Sequence, residues 1–194
     1  MFGILVVQLE DDTYGYLGTV SGKLPGKAIC LRFVPSIFDD SIDDFFVNRG
    51  MAELKAMGKK IEVTNHPLVS LSLKEDRKDK SIALQLRLFE NYNIKNLSGK
   101  VQNLLQIFRN ALDKNPPSAA GECAAPKLLQ YAIEHRLKPI ALTEFWWGGS
   151  VKFTERTHKA FYPACKKKCQ PILEYMLEDN SLFGKANDPT REDE

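Results

Sequence analysis

The feature that most constrains this chain is a change of period, because extended signal at the start gives way to a long helical run and then returns. Phe2 to Leu9 is β-rich, Asp11-Asp12-Thr13-Tyr14-Gly15 reads as a polar turn, and Tyr16 to Val20 resumes extended character, which together predict a β-hairpin. After the loop Ser21-Gly22-Lys23-Leu24-Pro25-Gly26, a third strand is expected over Ala28 to Val34, ended by Pro35. From about Ile42 to Leu112 the pattern is helical: Met51 to Ile61, Leu73 to Tyr92, and Val101 to Leu112 with Leu104, Leu105 and Phe108 on one face. Past the loop Asn115-Pro116-Pro117-Ser118, a helix is predicted from Ala124 to Arg136, with Pro126 tolerated in its first turn. Pro139 to Phe145 reads as a buried strand broken by Gly148-Gly149, and Pro163 is expected to open a final helix to about Leu177. The implied class is α+β, a hairpin and small sheet packed with helices and carrying a helical insertion over about 42–112.

With 194 residues the chain suits one domain, expected over 1–180, with 181–194 as a polar, acidic tail. Its 43% hydrophobic and 27% charged residues are those of a globular protein and argue against wholesale disorder. In Lys74-Glu75-Asp76-Arg77-Lys78-Asp79-Lys80 the signs are interspersed, which suits a solvated helix face better than a nucleic-acid arm. The opening MFGILVVQLEDD lacks a basic region before its apolar run and meets acids within ten residues, so it reads as neither signal peptide nor membrane span. A cytoplasmic location is the expectation, and cysteines there read as thiols or metal ligands before disulfides.

Charge is unevenly placed. Gly121 to Tyr175 holds nine Lys/Arg, among them Lys127, against five acids, so a chain of net charge +2 concentrates its basic character in this one segment. Here Trp146-Trp147 lies near Lys152, Arg156, His158 and Lys159, with Lys166, Lys167 and Lys168 further on. Aromatic rings beside cations suit RNA, since bases stack on rings while cations meet phosphates. Strand alternation, equally, sends one Trp to the core.

Cys165 and Cys169, four apart in a predicted helix, present both thiols on one face, and Cys123 stands at the start of the preceding helix. The alternatives are a metal ion, zinc by ligand type, or inert buried thiols. The order of parts resembles the zinc-dependent nucleoside deaminase fold, which implies a three-layer α/β/α arrangement, with Cys123-Ala124-Ala125 and Pro163-Ala164-Cys165 to Cys169 at its motif positions. Two departures stand out: Ala125 replaces the glutamate that acts as general acid and base, and the cysteine spacing is one residue longer. A deaminase-like centre here is therefore expected to be degenerate or structural.

His135-Arg136-Leu137-Lys138 differs from the His-Arg-Leu-Asp motif of pseudouridine synthases at the residue that matters, since a lysine supplies no carboxylate. His and Arg at a helix end also suit the negative pole of its dipole. His66, beside Pro67, reads as an ordinary loop residue.

Gly121 to Ala132 (GECAAPKLLQYA), Leu137 to Ala141, Glu144-Phe145-Trp146-Trp147-Gly148 and Phe161-Tyr162-Pro163-Ala164-Cys165 resemble the N-terminal extension of bacterial RluA-type RNA pseudouridine synthases. Met1 to Val7, Gly15-Tyr16-Leu17 and Ser21 to Leu24 match the same extension, and Lys80 to Gln85 does so more loosely. The likeness implies an accessory domain preceding a catalytic domain of the same polypeptide, and it makes the abrupt start and acidic tail expected cut points. No catalytic residue carries over. What it implies is a noncatalytic part that positions structured RNA, ribosomal or transfer. The rival expectations are a deaminase-like zinc domain and a structural docking module built on the helical insertion.

Overall fold

The computed structural model describes residues 1–22, 33–38, 45–149 and 156–178. The fold is α+β. Strands β1 (Phe2–Gln8) and β2 (Tyr14–Val20) form the expected hairpin, paired from Phe2 opposite Val20 to Gln8 opposite Tyr14. Helices α1 (Phe45–Val63) and α2 (Pro67–Asn91) follow, then a short antiparallel ribbon of β3 (Asn93–Lys95) and β4 (Val101–Asn103), and helix α3 (Leu104–Leu112). Helix α4 (Ala124–Glu134), strands β5 (Lys138–Phe145) and β6 (Phe161–Tyr162), and helix α5 (Gln170–Met176) complete the order. The sheet runs β2-β1-β5-β6, antiparallel throughout.

One face of that sheet is covered by α4, and the approach is close. A Cβ at Gly3 would stand 2.7 Å from Ala124 Cβ and 3.0 Å from Leu128 Cδ1, so glycine in β1 and alanine on α4 are what let helix and sheet meet. Leu5, Val7, Leu128 and Ala132 fill the interface and join a core continued by Ile94, Leu104, Phe108, Ile172 and Met176. On the other face Ile4, Tyr14 and Tyr16 are exposed. The second helical layer that the deaminase likeness implies is not among the described residues.

Several expectations are corrected. Val101 to Leu112 is not one helix: Val101–Asn103 pairs with β3, and the helix starts only where Asn103 and Gln106 form a reciprocal capping box. Pro139 to Phe145 is a strand but mostly an exposed one, because α4 covers one face and its outer neighbour β6 is two residues long. Pro163 opens no helix; the chain runs irregularly to a turn over 166–169, and α5 begins at Gln170. Helix α2 starts at Pro67, six residues earlier than expected, with His66 as its N-cap. Of the third strand, Phe33 forms a parallel bridge to Gly18, while 28–32 lies outside the described residues, as do Lys152 and the tail over 181–194.

The charged run from Lys74 to Lys80 is exposed along α2, as its alternating signs predict, and Lys80 Nζ reaches Glu53 Oε2 of α1 at 3.6 Å. No helix among the described residues is long and apolar enough to cross a membrane.

Candidate metal centre

Helix α4 begins at an N-cap cysteine whose thiol makes no capping bond. The amides it leaves free are taken from elsewhere in the fold. Ala124 N–H donates to Ser21 Oγ at 3.2 Å, and Ala125 N–H donates to Glu144 Oε1 of β5 at 3.3 Å. Ser21, just past β2, and Glu144 of β5 thus supply the capping oxygens that Cys123 does not, and its sulfur is left to turn toward α5.

From the other side, the turn before α5 brings Cys165 and Cys169 together. Cys169 N–H donates to Cys165 O at 3.1 Å, closing a helical turn ahead of the helix itself, and the Cys165 thiol lies 3.3 Å from that of Cys169. The i, i+4 spacing acts as the sequence suggests although the local backbone is a turn. All three sulfurs, Cys123, Cys165 and Cys169, lie within 4.8 Å of one another. Zinc–sulfur bonds of about 2.3 Å in a tetrahedron put sulfurs about 3.8 Å apart, so these separations fit a single ion.

Without metal, the thiols share hydrogen bonds. Cys165 and Cys169 share one hydrogen bond, and the bond between Cys169 and Cys123 lowers the Cys123 thiol to about 7 while pushing Cys169 well above the ordinary thiol range. Lys168 also favours the Cys123 thiolate. Three thiolates around a divalent ion leave one net negative charge, and Lys166, Lys167 and Lys168 stand in the turn between two of the ligands to offset it.

Glu144, which the sequence reading passed over, sits 5% exposed beside Cys123. Burial pushes its carboxyl above the usual range, and the Ala125 amide and the Arg156 charge act against that shift. Ala125 itself is fully buried, so the position that carries the glutamate in the deaminase motif is here a small side chain inside the fold. The one sequence signal for Glu144 was a charged residue inside a strand predicted to be buried. Truncation to Ala should loosen the first turn of α4 and weaken metal binding about tenfold, as loss of an outer-shell partner does. Glu144→Gln, which keeps an acceptor oxygen, should retain most of the affinity; competition against a chromophoric chelator checks both.

No protein-family model, curated protein or solved structure matches this chain. Its chemistry must therefore be read from its own side chains.

Beyond the thiols, β5 continues into the aromatic and basic end. Trp146 is half-buried, its indole N–H donating to Gly149 O at 3.0 Å and its ring facing the Arg156 guanidinium at 5.5 Å. Trp147 is 55% exposed, with His158 edge-on at 4.5 Å and Lys159 Nζ 5.5 Å from its ring centre. Lys166 and Lys167 are exposed and Lys168 is half-buried. The structure thus brings Trp146, Trp147, Arg156, His158 and Lys159 together in one hairpin end.

Lys127 departs from the basic surface altogether. It is 2% exposed, donates to Gly22 O at 2.7 Å and Val20 O at 3.3 Å, and pairs with Glu122 at 3.2 Å. The Tyr92 hydroxyl donates to the other Glu122 oxygen, and burial together with that carboxylate pushes the phenol up. Gly121 precedes this knot at φ +87°, where an added Cβ would meet the Tyr92 ring at 2.9 Å. The GEC stretch therefore anchors the start of α4 to the β2 exit and to α2's end, which fixes where Cys123 points.

Proposed function

We propose that this chain is a noncatalytic accessory domain of an RluA-type RNA pseudouridine synthase, gripping structured RNA for a catalytic domain of the same polypeptide, with zinc on Cys123, Cys165 and Cys169 as its structural centre. The observation that carries the RNA part is Trp147, an exposed indole flanked by Lys159 and His158 within the basic segment. Stacking surface and phosphate-seeking cations are the two components that RNA-binding sites combine. The thiol cluster supports the zinc part, since its ligand type and spacing suit that ion and it ties α4 to the turn that carries Lys166 to Lys168.

The reading is tested by titrating ribosomal or transfer RNA against the zinc-loaded protein at two ionic strengths. Several phosphate contacts should make affinity fall at least tenfold between about 50 and 200 mM salt. No binding at low salt overturns it.

One observation favours the deaminase-like alternative: Glu144 brings a carboxylate to the first turn of α4, beside Cys123, although position 125 lacks one. Release of ammonia from nucleosides by the zinc-loaded protein is what that reading requires. Glu144 already serves as the cap of α4, and the structural role accounts for its burial.

A further inference from the structure

The geometry points to Trp147 as the platform for a single unpaired nucleobase, so that the ligand of this site is a loop or bulge of RNA and not a duplex; this rests on the RNA reading above. The two tryptophans are neighbours in sequence but not in duty. Trp146 is committed to the fold: its backbone N–H donates to Ala160 O at 3.0 Å, its carbonyl accepts from Lys159 N–H at 2.7 Å, and its ring is engaged by Gly149 and Arg156. Trp147 is the ring left to solvent.

What surrounds Trp147 limits how it can be used. The Lys159 ammonium lies 5.5 Å from the ring centre and His158 packs against the ring at 4.5 Å, so part of the indole is already engaged, and the 55% of Trp147 left exposed suits one stacked partner and not several. A base stacked there would bring its own phosphate within the field of Lys159. Paired bases inside a duplex offer no free face to such a ring, whereas unstacked bases in loops and bulges do. Stacking on an indole face is tolerant of base identity, because every base has such a face to offer.

The ring is held ready in advance. Gly148 at φ +133° and Lys159 at φ +65° turn the chain on either side, and Gly148 N–H donates to His158 Nδ1 at 3.1 Å, which fixes the imidazole against the indole. A backbone set in this way before binding loses little freedom on binding, which is what a stacking platform needs.

The experiment compares three fluorescein-labelled RNAs of equal length with the zinc-loaded protein at low salt: a hairpin with an unstructured loop, a single strand, and a full duplex. Wild type is expected to prefer the loop and single-strand RNAs over the duplex by about tenfold, the size of one base–aromatic stack. Trp147→Ala should lose about that factor on the loop RNA and leave duplex binding unchanged, while Trp147→Phe recovers part of the loss. Equal binding of duplex and loop RNA by wild type overturns the inference and leaves the RNA reading standing, as does a Trp147→Ala variant that binds the loop like wild type. Absence of binding to all three overturns both.

Discussion

Replacement of Lys127 by Met is expected to destabilise the protein by about 3–5 kcal/mol, the usual consequence of leaving one member of a buried ion pair without its partner. The lysine is 2% exposed and holds Glu122 at 3.2 Å, so its loss strands a carboxylate in the core beside the Tyr92 hydroxyl. Two backbone carbonyls, Val20 O and Gly22 O, lose their donor at the same time. The double variant Lys127→Met with Glu122→Gln should recover a large part of the loss, since a buried pair removed whole is often nearly neutral. Urea unfolding of the four proteins of this cycle measures the coupling. Additive losses in the double variant would mean that the two charges do not depend on each other.

Stripping the metal is expected to have the other large effect. Free zinc held about a thousandfold above its dissociation constant stabilises a folded protein by about 4 kcal/mol. For a chain of this size that is roughly 8–16 °C of melting temperature. A chelator should remove that increment from wild type and leave the already lowered melting temperature of Cys169→Ser unchanged, because the variant lacks the buried ligand that joins the pair. Differential scanning calorimetry with and without chelator reads both. An unchanged wild-type transition would leave the three thiols as inert side chains that hold no metal.

Much of this architecture is legible in the sequence because it depends on local signals. The hairpin follows from β-rich runs around an Asp-Asp-Thr-Tyr-Gly turn, and α4 follows from an apolar helical period with Pro126 in its first turn. Cysteine spacing was enough to suggest that Cys123, Cys165 and Cys169 converge, and they do. What local pattern could not show is where tertiary partners override it. Val101–Asn103 pairs with a three-residue strand too short to leave a period of its own, and Asn103 starts the helix only there.

The same limit explains the charged residues that were misjudged or missed. Lys127 counts as a surface cation in any tally of charge, yet its burial depends on Glu122, Val20 and Gly22, which only folding brings together. Glu144 alternates into the sheet's covered face like an apolar residue, and its purpose becomes visible only when the bare N-terminus of α4 arrives above it. Trp146 and Trp147 were separable in principle, since alternation predicts one ring inward and one outward. Which is which depended on the bonds across β5 and the chain before β6.

The central claim is that one metal ion joins α4 to the turn before α5 and so holds the aromatic, basic end in place. Elemental analysis of protein purified without chelators tests it most directly. The account predicts close to one zinc per chain, falling to a small fraction in Cys169→Ser; zinc well below one per chain in folded wild-type protein would contradict it.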